Sequence, residues 1–185
     1  MIINHQHLKP TMKTNPILFT LVATLALTSC GEKAESPAQS TNPRLQALFV
    51  AEEPKGALSV LEARKSGQPG AEITVVGRVA GVMEPFSKDF ATLVLADDTV
   101  MTCDRNPGDA CETPWDACCV EPKVLAASRL SVQVMGDGGQ PITQTLKGVN
   151  GLKELDRLII QGRVAQGSNA DNLIIEATGI FPKPL

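Results

Sequence analysis

Four thiols crowd one short stretch of this chain: Cys103, Cys111, Cys118 and Cys119 fall within seventeen residues. Sulfur at that density closes disulfides, binds a soft metal ion or exchanges electrons. Two disulfides are the first reading, with Cys103 and Cys111 each joined to one of the adjacent pair. A Cys118–Cys119 bridge would be a strained vicinal link, and a long loop without a core gains from being stapled. The alternative is a metal ion, zinc, iron or copper(I), among the four thiolates; ligand type and number suit it. The spacing C-x7-C-x6-C-C does not match the C-x2-C knuckles of structural zinc sites. A reactive dithiol is the third option, and it needs surroundings that stabilise a thiolate. Asp104, Asp109, Glu112 and Asp116 oppose that. Trp115, the single tryptophan, sits in Thr113-Pro114-Trp115-Asp116. It is expected to pack over the cysteines as a miniature core, with ligand contact as its other role.

Other chemistry is conspicuous by its absence. The two histidines are His5 and His7, both ahead of the segment that survives export. The commonest general base and the commonest metal ligand are thereby removed together. No nucleophile elbow, phosphate loop or paired-carboxylate motif occurs. The reading is a non-enzyme with no cofactor, unless the four cysteines hold a metal.

The N-terminus sets the compartment. Lys13, a turn-prone Thr14-Asn15-Pro16, the apolar run Ile17 to Leu27 and then Leu27-Thr28-Ser29-Cys30 read as a signal peptide over residues 1–29, with translation starting at Met12. Its apolar run is too short for a comfortable membrane span. The ending resembles the lipobox of bacterial lipoproteins, which implies lipid on the Cys30 sulfur and Cys30 as the new N-terminus. Gly31, rather than Asp, follows it, as in lipoproteins directed to the outer membrane, facing the periplasm. Residues 30–53 form the lipidated cysteine and a tether; its Ser-, Ala-, Glu- and Pro-rich first part, 31–43, cannot bury enough surface to order itself. With Lys9 and Lys13 gone, 15 basic residues face 20 acidic ones, a net of −5.

Residues 54–68 read as one short helix, with Ala57, Leu58, Leu61 and Ala63 on its apolar edge and Gly67 as its stop. Beyond Pro69-Gly70 the texture turns to β. ITVVGRV, ATLVLAD, LSVQVMGD, LKELDRLIIQGRV and NLIIEATGI carry five Val- and Ile-rich runs. Residues 149–156 can form a second short helix capped by Asn150, and 142–147 an extra strand. Gly77, Gly81 and Gly162 inside or beside strands suit the sharp bends of a small closed barrel.

The order β-β-β-α-β-β with a glycine-bent first strand resembles the OB-fold over residues 70–182, in particular OB modules of the tRNA-anticodon-binding type. It is also similar to uncharacterised bacterial envelope proteins with a Pro-Trp-Asp-x-Cys-Cys insertion. The resemblance implies an all-β, small five-stranded Greek-key barrel with one or two short helices. The Cys-rich insertion, 98–127, replaces the hairpin between the second and third strands. OB barrels bind on that side, so the chain reads as a membrane-anchored, non-catalytic binding module for a protein, glycan or small ligand. Metal binding is the alternative and nucleic acid a distant second. Residues 97–121 hold seven acids against Arg105 alone, which repels phosphates, and stacking aromatics are scarce.

If acyl chains on Cys30 are the anchor, Cys30→Ser should leave the membrane fraction for the soluble one on cell fractionation; firm retention of the variant would remove the assignment.

Overall fold

The computed structural model describes residues 42–184 except 109. The expected signal peptide, Cys30 and the first part of the tether lie outside the described residues. Five strands close on themselves. They are β2 (Glu72–Val79), β3 (Thr92–Ala96), β4 (Arg129–Gln133), β5 (Arg157–Val164) and β6 (Ile174–Lys183). The order β2-β3-β4-β6-β5 returns to β2 through a β2–β5 pairing. All neighbours are antiparallel except β4 and β6, which run parallel. This is the small all-β, OB-like barrel expected from the sequence. One further strand, β1 (Leu58–Ser59), lies parallel to β2 with Leu58 opposite Val75.

Alternation explains the interior. On β4, Leu130 and Val132 are buried while Arg129, Ser131 and Gln133 are half-buried, as period-2 geometry requires. Leu93, Leu95, Leu158, Ile160, Ile175 and Ile180 join them in one core. Closing so small a barrel brings backbones close. A Cβ on Gly77 would lie 2.6 Å from the Ala96 carbonyl, and one on Gly162 would collide with the Glu176 carbonyl. The β5–β6 register also slips between Gln161 and Gly162, so this glycine sits at a bulge.

Three elements differ from expectation. The helix expected over 54–68 is α2 (Val60–Ser66), and it does not begin at Pro54. Gly56 has φ +71°, and Ser59 forms a capping box with Glu62, which places the start there. Before it, α1 (Pro43–Ala47) is a single turn capped by Asn42. The second expected helix, 149–156, shrinks to a 3-10 turn at Val149–Gly151, because Asn150 (φ +49°) and Gly151 (φ +78°) both leave the right-handed region. The stretch 142–147 forms no strand; beside it only a Met135–Pro141 bridge occurs. Conversely, the insertion contains a helix, α3 (Pro122–Ala127), with Pro122 in its first turn and the Glu121 side chain capping the Val124 N–H.

Helix α2 closes one side of the core with Val60 and Ala63, both fully buried. Its first turn is held by Asp97, at the end of β3. Asp97 Oδ2 accepts from the Leu61 N–H at 3.0 Å, and Oδ1 accepts from the Thr99 N–H and hydroxyl at 3.0 and 2.7 Å. Burial pushes this carboxyl up, but the bonds from Leu61, Thr99 and Val60 outweigh it and hold the group below the usual carboxylate range.

A depressed native pKa contributes stability above the unfolded value, about 3.9, and loses it as pH falls through the native value. Asp97→Asn should therefore cost about 1–3 kcal/mol near pH 7 in urea unfolding. The gap to wild type should narrow steadily below about pH 4; a gap independent of pH would refute the assignment.

Candidate functional site

The insertion leaves the barrel at Asp97 and is fastened to it by two arginines. Arg78 on β2 and Arg157 on β5 are opposite one another in the sheet. Arg78 donates to the Thr102 hydroxyl at 3.1 Å and to Asp104 Oδ2 at 2.9 Å, and Thr102 in turn donates to Asp104 Oδ1 at 2.5 Å. The Arg78 side chain is only 7% exposed and that of Asp104 25%, so this pair is well shielded from water. Desolvation raises the Asp104 carboxyl, but the bonds from Thr102 and Arg78 win and hold it below its ordinary value. Arg157 grips Asp98 through Nε at 2.8 Å and Nη2 at 2.5 Å. Arg105 adds a bond to the Asp98 carbonyl at 2.6 Å. Two buried side-chain atoms, Arg78 Nε and Asp98 Oδ1, have no hydrogen-bond partner among the described residues.

Those clamps fix the turn that carries Cys103, a 3-10 turn over Cys103–Arg105. The far arm of the insertion then folds back on it. Cys103 N–H donates to the Asp116 carbonyl and Asp104 N–H to the Pro114 carbonyl, both at 2.8 Å. Gly81 N–H reaches the Trp115 carbonyl at 2.8 Å, and Trp115 Nε1 donates to the Met83 carbonyl at 2.9 Å. Beneath lies a second small core of Ala80, Ala96, Val100 and Ala117, with Trp115, Val120, Leu125 and Leu155 packed on it. Trp115 thus packs on this alanine- and valine-lined core, which contains no cysteine and joins the insertion to the barrel.

The four cysteines are thiols here. Sγ atoms of Cys103, Cys111 and Cys118 all lie within 4.8 Å of one another. Cys103 and Cys118 are 3.7 Å apart, and Cys119 stands 3.9 Å from Cys118. These separations exceed a disulfide bond of about 2.05 Å, so neither expected disulfide is formed in this structure. The triad grades outward: Cys103 is buried, Cys111 half-buried and Cys118 exposed, with Cys119 also exposed. Cys111 Sγ also contacts the Thr113 hydroxyl at 3.3 Å. Burial pushes the Cys103 thiol up to about 12, and hydrogen bonding to Cys118 and Cys111 adds to the shift. The grouping can hold a metal ion.

Beside the insertion a cleft of about 610 Å³ has an apolar lining of Met83, Pro85, Phe86 and Trp115. Its charged rim is self-paired: Lys88 with Glu84 at 2.7 Å and Lys147 with Glu154 at 2.6 Å. Trp115 is thus both a wall of this cleft and part of the core below.

Arg78 and Arg163, both on barrel strands, have acidic partners. Arg78 is buried in its clamp, and Arg163 pairs with Glu72 at 2.6 Å. Arg78, Arg157, Asp98 and Asp104 are structural anchors of the site that sequence reasoning did not single out as such. An arginine on a strand reads as facing water unless the loop that covers it is known.

No family model matches the chain, and no curated protein matches it. Among solved structures the chain is similar to the hypothetical protein ygiW from E. coli, with 16% identity and a TM-score of 0.35. That match covers 70% of this chain and 94% of the other.

Replacing Arg78 with Met keeps the length of the side chain but removes the guanidinium that is hydrogen-bonded to Asp104. Arg78→Met should destabilise the protein by about 2 kcal/mol or more and red-shift Trp115 fluorescence as the insertion loosens; an unchanged unfolding midpoint and spectrum would dispose of the clamp.

Proposed function

We propose that this chain is a cell-envelope lipoprotein, held to the membrane by lipid on Cys30, whose OB-like barrel acts as a non-catalytic module that binds a soft metal ion through its insertion. The observation that carries this is the gathering of three cysteine sulfurs within 4.8 Å of one another. Two disulfides need four sulfurs sorted into two separate pairs. The insertion instead sets three at the corners of a triangle and leaves Cys119 beside one corner. A triangle of sulfurs is a ligand set, and soft thiolates select copper(I), zinc or iron–sulfur chemistry.

The anchor rests on the lipobox-like Leu27-Thr28-Ser29-Cys30, and Gly31 favours the periplasmic face of the outer membrane. Among the described residues no helix is long and apolar enough to cross a membrane. An exported protein meets oxidising surroundings that drive thiols to disulfides. Bound metal and disulfide therefore compete for the same sulfurs, and occupancy protects the thiols. Binding of a protein, glycan or small ligand in the Trp115 cleft is a second reading, favoured by that cleft's apolar lining.

Elemental analysis and thiol titration of the full chain, purified from the native envelope under nitrogen, separate the accounts. About one equivalent of a soft metal, lost in Cys111→Ser, is the expected result. Metal-free protein with no titratable thiols in the insertion would return the cysteines to disulfides and overturn the proposal.

A further inference from the structure

We infer that the ion is monovalent copper, held three-coordinate by Cys103, Cys111 and Cys118 with Cys119 outside the shell, as an exchangeable cargo. This rests on the metal-binding reading above and names the ion that the site selects. The first argument is donor chemistry. Every ligand atom in the group is sulfur; among the described residues no aspartate or glutamate oxygen joins it, and both histidines of the chain precede Cys30. A purely thiolate set favours the softest available ion.

The second argument is number. A structural zinc site is closed by four ligands in a tetrahedron, and among the described residues the group has three. Cys119 lies 3.9 Å from Cys118 but is not in the group whose sulfurs are all within 4.8 Å of one another. Being next to Cys118 in the chain, it chelates the same ion awkwardly. Two described carboxylates nearby have engagements of their own. Asp104 gives one oxygen to Thr102 and the other to Arg78, and Asp116 Oδ1 accepts from the Ala117 N–H at 2.8 Å. A flat three-coordinate centre with metal–sulfur bonds of about 2.3 Å places its sulfurs about 4.0 Å apart. The Cys103–Cys118 edge, at 3.7 Å, need open only slightly to reach that spacing, and all three sulfurs already lie within 4.8 Å of one another.

The third argument is access. A structural ion is sealed in, whereas here one ligand, Cys118, is exposed to solvent and Cys103 is buried. The gradient gives the ion a firm inner ligand and an outer one that an incoming thiolate or thioether can displace. Binding involves no electron transfer. Copper enters and leaves as copper(I), three S–H bonds give up three protons to solvent, and three copper–sulfur bonds form. The centre keeps two negative charges, and Arg105 and the clamped Arg78 are the cations beside the Cys103–Asp104 turn.

The test is a titration of the full chain, reduced and kept under nitrogen, with copper(I) against a chromogenic copper(I) chelator, repeated with zinc(II) alone. The expected result is one equivalent of copper(I) with three sulfur neighbours in X-ray absorption, and weak zinc retention. Cys111→Ser and Cys118→Ser should each weaken copper binding at least tenfold, and Cys119→Ser should leave it unchanged. Cys103→Ser is checked for folding by circular dichroism; if it unfolds, the two outer variants still decide. A four-sulfur site, an equal loss in Cys119→Ser, or zinc bound in preference to copper would overturn this inference while leaving metal binding intact. Retention of neither ion would overturn metal binding itself.

Discussion

The contact between Arg78 and Asp104 is the constraint on which the candidate site depends. A guanidinium this well shielded must be paired, because an isolated charge removed from water costs several kcal/mol. Asp104 supplies the pairing, Thr102 completes it, and the residue between those two is Cys103. The insertion therefore docks where its charge is needed. Exposed pairs such as Arg44–Asp137 and Lys88–Glu84 are screened by water and do not fix the insertion.

The same logic accounts for the acidity of the insertion. Read along the chain, seven acids against one base describe a repulsive loop. In the fold, Asp98 and Asp104 are neutralised by arginines from β5 and β2, and Asp97 caps the first turn of α2. Much of the charge is thus spent internally on orienting the loop. The barrel cations Arg78 and Arg157 are spent in the same pairs.

The cleft and the thiol triad are linked by Trp115. Its backbone carbonyl holds Gly81, its indole N–H holds Met83, and its ring packs on the small second core. That core includes Ala80, next to the end of β2, and Ala96 of β3, and the triad joins Cys103 of the clamped turn to Cys111 and Cys118, which flank Trp115 in the chain. Anchoring the insertion at both its base and its Trp-bearing arm gives the sulfurs a fixed spacing, which a free loop could not.

Much of this molecule is legible in its residues. Alternation of Leu130, Val132 and Val134 with Ser131 and Gln133 announced strand β4, and the glycines of β2 and β5 announced a tightly closed barrel. The four cysteines and Trp115 marked the insertion as the part with chemistry, because their types and spacing are local properties. Even the missed helix α3 has local signals, Glu121 as cap and Pro122 in the first turn. What the chain order could not disclose is which groups meet. That Arg78 is buried and clamps Asp104, and that three sulfurs rather than two pairs converge, depends on contacts between residues tens of positions apart, made only when the barrel closes and the insertion folds back onto it. Periodicity and composition carry no information about such meetings; tertiary packing decides them.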